Sequence, residues 1–203
     1  MKNLILIPFA LLSIFLASCQ KDSGPTTVSG YVLEEGTNKP IPDATVYILE
    51  QKAEYTGTVQ PKVIFSTRST SDGRYSMSFD ANKDNLYFVQ AAHDTFFTSA
   101  GSGWPVNAGK KNTIHIGLTP YGWINFHVVN QTRSYSFIIV NDNSIGKISG
   151  YNVDSTFIRY YHGNNWREVY YVLFKNSQDT LPLKVSKNIW VVPHDTVNVS
   201  IEY

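Results

Sequence analysis

The side chains that carry chemistry in most proteins are few here, and their spacing favours none of the common reactions. The five histidines, His93, His115, His127, His162 and His194, show neither His-Glu-x-x-His nor a helical pair, and a single thiol removes the usual zinc set. Each reads as a hydrogen-bonded or exposed strand histidine. The triplets His93-Asp94-Thr95 and His194-Asp195-Thr196 repeat one another. Adjacent strand residues point to opposite faces, so neither pair orients a base against its carboxylate, and the repetition reads as coincidence. No serine lies in Gly-x-Ser-x-Gly or in a supporting Ser-x-x-Lys context. Glu34, Glu35 and Asp154 sit near predicted strand ends, outside any motif for glycoside hydrolysis. Asn141-Asp142-Asn143 clusters oxygen ligands without the spacing of a calcium loop and reads as an Asx-rich turn. No catalytic residue, metal site or cofactor is assigned, and the expectation is a protein that is not an enzyme.

Two features remain chemically suggestive. Tyr160, Tyr161, Trp166, Tyr170 and Tyr171 crowd what the sequence presents as the arms of one hairpin, and rings fall on both strand faces. One face is core. The other is a candidate ligand-contact platform for sugar rings or a protein, with cross-strand aromatic pairing as the plainer reading. The second feature is Cys19, the only cysteine, which closes an apolar run from Leu4 to Leu16 behind Lys2. That run is too short for an ordinary spanning helix and reads as a secretion signal over residues 1–18.

Leu16-Ala17-Ser18-Cys19 resembles the lipobox of bacterial lipoproteins. The resemblance implies that the Cys19 thiol takes a diacylglycerol and becomes the new N-terminus, with further acylation such as palmitate. A free buried cysteine beside a generic signal peptide is the alternative. Gln20-Lys21-Asp22-Ser23 resembles the Lys-plus-acidic sorting signal by which some Gram-negative bacteria send lipoproteins to the cell surface, with Ser23 where a second acidic residue is usual. Residues 19–26 are otherwise expected as a solvated tether.

With Lys2 removed, the net charge of +1 falls to near zero and no basic patch is visible, so nucleic acid is not expected as a partner. A secreted chain whose sole thiol is acylated forms no internal disulfide and relies on packing. About 180 mature residues suffice for one large or two small cores. Aromatics make up 14% of the chain, Val, Ile and Thr are plentiful, turn clusters recur at short intervals, and no long helical period follows the signal. The chain reads as all-β.

Over residues 27–119 the strands are expected at Val28 to Leu33, Ala44 to Leu49, Ile64 to Ser69, Tyr75 to Phe79, Leu86 to Ala91 and Asn112 to Leu118. Ser71-Asp72-Gly73-Arg74 offers the positive φ of a tight hairpin, residues 51–62 an extended hairpin loop, and Trp104-Pro105 a loop tip or a plug over one end. Gly30-Tyr31-Val32, Asn38-Lys39-Pro40-Ile41-Pro42-Asp43-Ala44-Thr45-Val46 and Ser69-Thr70-Ser71-Asp72-Gly73-Arg74-Tyr75-Ser76, in that order, resemble the carboxypeptidase regulatory-like domain. The resemblance implies a small transthyretin-like β-sandwich of the kind that serves as a folded, non-catalytic appendage or spacer. Asp43 departs from the glycine common in the family.

Over residues 120–203, Ile124, Phe126 and Val128 alternate as a core face against Trp123, Asn125, His127 and Val129. Tyr135 to Asn141 is expected to partner that strand. Val153 to Tyr161 and Trp166 to Phe174 flank His162-Gly163-Asn164-Asn165, a hairpin signal, and Leu181 to Val185, Ile189 to Val192 and Thr196 to Tyr203 complete an immunoglobulin-like sandwich. The expected whole is a lipid-anchored outer-membrane lipoprotein, surface-exposed on a Gram-negative cell. It acts as an interaction or scaffold module toward an envelope protein, with glycan binding by the aromatic residues as the alternative.

Overall fold

The computed structural model describes residues 23–53, 61–98, 103–140 and 145–203. Cys19, Gln20, Lys21 and Asp22 lie outside the described residues, as does Asn141-Asp142-Asn143. Every regular element among the described residues is a strand. In chain order these are β1 (Gly24–Glu34), β2 (Thr45–Lys52), β3 (Lys62–Arg68), β4 (Arg74–Ala81), β5 (Asn85–Ala92), β6 (Phe96–Phe97), β7 (Trp104–Val106) and β8 (Lys111–Thr113). They continue with β9 (Ile116–Val129), β10 (Phe137–Val140), β11 (Gly146–Ser149), β12 (Asp154–His162), β13 (Asn165–Phe174), β14 (Leu183–Val191) and β15 (Thr196–Glu202).

One sheet runs the length of the molecule in the order β12-β9-β1-β4, and β15, β6 and β8 join it at its sides. Two four-stranded sheets, β3-β2-β5-β7 and β11-β10-β13-β14, supply the opposing layers. Two apolar clusters result. Val28, Val32, Val46, Ile48, Val89, Ile116 and Leu118 belong to the first, and Ile124, Phe126, Val128, Ile138, Leu173, Val191 and Ile201 to the second. Each closes a β-sandwich, in which facing sheets bury alternate residues of every strand.

β9 belongs to both. Its fourteen residues alternate without a break, and Ile116, Leu118, Pro120, Gly122, Ile124, Phe126 and Val128 are all buried on one face. The first two enter one core and the last three the other. Thr119-Pro120-Tyr121-Gly122, at the boundary between the two expected modules, is therefore the middle of a strand. β1 runs parallel to β9 with Glu34 opposite Leu118. The eleven residues of β1 and the rest of β9 beyond Leu118 thus point the same way, and at about 3.3 Å per residue they carry the fold roughly 70 Å from Gly24 to Val129.

Several sequence expectations change. Gly24, Pro25 and Thr26, expected in the tether, already pair with Ala81, Asp80 and Phe79, and Thr26 is fully buried. Gly73 and Asn164 do have positive φ, 76° and 57°. Neither turn makes a hairpin, because β3 pairs with β2 while β4 pairs with β1, and β12 pairs with β9 while β13 pairs with β10 and β14. Both turns carry the chain from one layer to the other. β10 likewise lies in the layer opposite β9. The two short strands expected between Leu181 and Val192 are one, β14, and Trp104-Pro105 forms an edge strand against Val89 and Phe88. Proline suits that edge because it offers no ladder N–H.

Candidate functional site

The junction between the two cores is built around the main chain of Tyr121. Its N–H donates to Thr95 O at 3.0 Å, and its carbonyl accepts from His194 N at 2.8 Å. The two His-Asp-Thr triplets, read as coincidental, therefore meet here on one edge of β9, because the N–H and C=O of a strand residue point to the same side. Their imidazoles both lie against Phe96, each 5.3 Å from its ring in edge-on geometry. One leads into β6, antiparallel to β9, and the other into β15, parallel to it. Sequence separation hid this pairing, although the identical triplets were its visible signal.

Each remaining histidine also has a partner. His115 lies against the Tyr31 ring at 5.4 Å, His162 stacks on Phe97 at 3.8 Å, and His127 Nε2 is 2.7 Å from Asp154 Oδ1. The three acidic residues near strand ends fall in separate places. Glu34 meets His194, the Thr119 hydroxyl donates to Glu35, and Asp154 meets His127. Among the described residues no group of three or more His, Cys, Asp or Glu is placed to hold a metal ion.

The five candidate ring residues do not share one surface. β12 and β13 occupy opposite layers, so Tyr160 lies on the outer face of one sheet and Trp166 and Tyr170 on the outer face of the other. Tyr171 points into the second core, and its burial pushes the phenol pKa up. Tyr161 packs against the same core, with the Arg167 guanidinium 5.1 Å from its ring centre. The outward rings of the set, Tyr160 on one sheet and Trp166 and Tyr170 on the other, therefore form no common platform.

Two other groupings appear instead. On β13 and β14, Trp166 stands opposite Trp190 with ring centres 5.4 Å apart in an edge-on contact. On the long sheet, Tyr160 joins rings drawn from β6 and β9. Phe97 and Tyr121 approach to 4.5 Å, Tyr121 and Tyr160 to 5.0 Å, and Trp123 is the ladder partner of Tyr160. Strand alternation extends this face beyond the rings. The outward rows after Tyr160, Trp123 and Thr196 are Ile158, Asn125 and Asn198, then Thr156, His127 and Ser200. Asn125 Nδ2 donates to Asn198 Oδ1 at 2.9 Å, and a groove of about 470 Å³ lies over these amides, bordered by His127, Thr156 and Ser200. Rings followed by amides on a sheet of fixed register give a surface able to stack and hydrogen-bond in one plane.

No protein-family model and no curated protein matches the sequence. Among solved structures, the chain is similar over 88% of its length to the Bacillus anthracis TIE protein, at 8% identity and a TM-score of 0.39, and spans 34% of that chain. It is similar over 87% of its length to GBS52, the minor pilin of Streptococcus agalactiae, at 11% identity and a TM-score of 0.42, covering 94% of it. A streptococcal ancillary pilin matches over 88% at 12% identity and a TM-score of 0.40, with 63% of that chain covered. These likenesses are distant and carry no functional weight. The class rests on the fold itself: an all-β protein of packed β-sandwich sheets.

Proposed function

We propose that the chain is a lipid-anchored envelope protein whose two modules, 27–119 and 120–203, form one stiff arm that presents the second module to a partner without catalysing a reaction. The observation that carries this reading is β9, which threads both cores unbroken and leaves no flexible linker between them. Direction supports it as well. Gly24 begins β1 shortly after Cys19, at the end of the first module away from the second. An acyl group on Cys19 then holds the near end at the bilayer, each buried methylene contributing about 0.8 kcal/mol. The far end carries Val129 and Tyr203, whose N–H bonds the Val129 carbonyl at 3.0 Å.

In this reading Lys21 and Asp22 direct the protein to the outer-membrane surface, and the first module is a carboxypeptidase regulatory-like spacer. The partner is an envelope protein. Metabolic labelling with a radioactive fatty acid tests the anchor: the native chain takes the label and Cys19→Ala does not. Protease treatment of intact cells tests display. Loss of the protein supports surface exposure, whereas full protection moves it to the periplasmic leaflet.

A further inference from the structure

We infer that the outer face of the β12–β9–β15 sheet is a binding site for a neutral oligosaccharide, in which Trp123 and Tyr160 carry one sugar ring while Asn125, Asn198 and His127 hydrogen-bond the next. The inference goes beyond the anchoring proposal and does not rest on it.

Three properties of the face point to this class of ligand. First, apolar and polar groups are segregated by row. Tyr160, itself 59% exposed, and Trp123 form one cross-strand pair, and the Asn125–Asn198 amide pair lies two residues further along, roughly 6.6 Å away by strand geometry. A pyranose has an apolar face of C–H groups and a polar rim of hydroxyls, so a short chain of such rings laid along the strands meets a ring surface and then an amide row. Second, the polar groups are uncharged or paired. Asn125 gives its Nδ2 proton to Asn198 Oδ1, and His127 Nε2 is held by Asp154 Oδ1 at 2.7 Å. That leaves the Asn198 amide N–H groups and His127 Nδ1 for hydroxyls. The carboxylates Asp154 and Glu202 stand one row beyond, where Asp154 meets His127 and Glu202 accepts from the Ser200 hydroxyl at 3.2 Å. Third, the face is preorganised. All three strands are hydrogen-bonded in register along β9, so these side chains are held by sheet geometry rather than by loops. The groove of about 470 Å³ over the amide row falls within the range of small-ligand sites.

The Trp166–Trp190 face is the competing surface and lacks this pattern. Its next outward row pairs Glu168 with Asn188, and Lys184 lies opposite Val172 beyond it, so charges follow its rings.

The test uses the full chain in a zwitterionic detergent without a sugar headgroup. Saturation-transfer NMR is run against cellotriose, maltotriose, xylotriose, mannotriose and triacetylchitotriose. At least one is expected to receive magnetisation from the aromatic resonances. Tyr160→Ala and Asn198→Ala, both at exposed positions, are expected to weaken that binding about five- to tenfold with an unchanged sheet-type circular dichroism spectrum. Trp166→Ala, on the opposite layer, should leave it unaltered. The inference is overturned if no probe receives transfer, if binding survives both substitutions, or if Trp166→Ala abolishes it. Cys19→Ala should retain sugar binding, so failure of the anchor and failure of this site are separable.

Discussion

His194 Nε2 stands 2.9 Å from Glu34 Oε2, joining residues 160 positions apart across the junction of the two cores. The Glu34 side chain keeps only 8% of its surface, and the Thr37 hydroxyl donates to its other oxygen at 2.9 Å. Removing the imidazole leaves a nearly buried carboxylate with one side-chain donor. His194→Ala is therefore expected to cost about 1–3 kcal/mol in equilibrium denaturation, because an unmatched buried acceptor loses its desolvation compensation. Glu34→Gln retains an acceptor and should cost less.

A second expectation concerns alkaline pH. The Tyr75 hydroxyl donates to Ile114 O at 2.7 Å, and burial raises its pKa well above the ordinary value near 10. The folded state then holds this proton more tightly than the unfolded chain. The contribution is complete below pH 10 and is lost as pH rises through the folded pKa. Stability measured by urea titration should fall above pH 10, and Tyr75→Phe should flatten that slope while lowering stability at neutral pH.

Two glycines are fixed by close approach of another backbone segment. A Cβ on Gly30 would lie 1.8 Å from Ile114 O, and one on Gly122 would lie 2.4 Å from Val192 O. Gly30→Ala forces β1 away from the segment before β9 and is expected to destabilise by about 3 kcal/mol. Gly122→Ala acts in the middle of β9, at the junction. Thermal unfolding followed by tryptophan fluorescence and circular dichroism checks both.

The ring residues of β13 should separate sharply by face. Tyr171→Ala removes a core side chain and is expected to cost about 3–5 kcal/mol. Trp166→Ala, at a position 64% exposed, should cost about 0.5–1.5 kcal/mol, the scale of its edge-on contact with Trp190. Denaturant midpoints of the two variants decide this.

Strand periodicity made much of the fold legible. Ile124, Phe126 and Val128 could be placed in a core from alternation alone, because a half-buried strand repeats every two residues. The same alternation extends back through Gly122, Pro120 and Leu118, but proline and glycine there imitate a turn. Gly122 instead makes room for the Val192 carbonyl, a demand from a segment seventy residues away that local sequence does not record. Asp72-Gly73 and Gly163-Asn164 likewise disclosed their turn conformation but not whether the flanking strands pair, since turn chemistry sets φ and leaves the choice of layer to packing. The ring cluster of Phe97, Tyr121 and Tyr160 was divided among three strands, and only the ladder positions of β6 and β12 on β9 bring it together.

The stiffness of the arm can be measured by placing spin labels at Ser78 on β4 and Glu202 on β15, both exposed, in the Cys19→Ala background, and recording their separation by double electron–electron resonance. By strand geometry the two sites lie roughly 60 Å apart. An unbroken β9 predicts a single narrow distribution near that distance. A broad or bimodal distribution would mean that the two cores move independently, and would contradict the account.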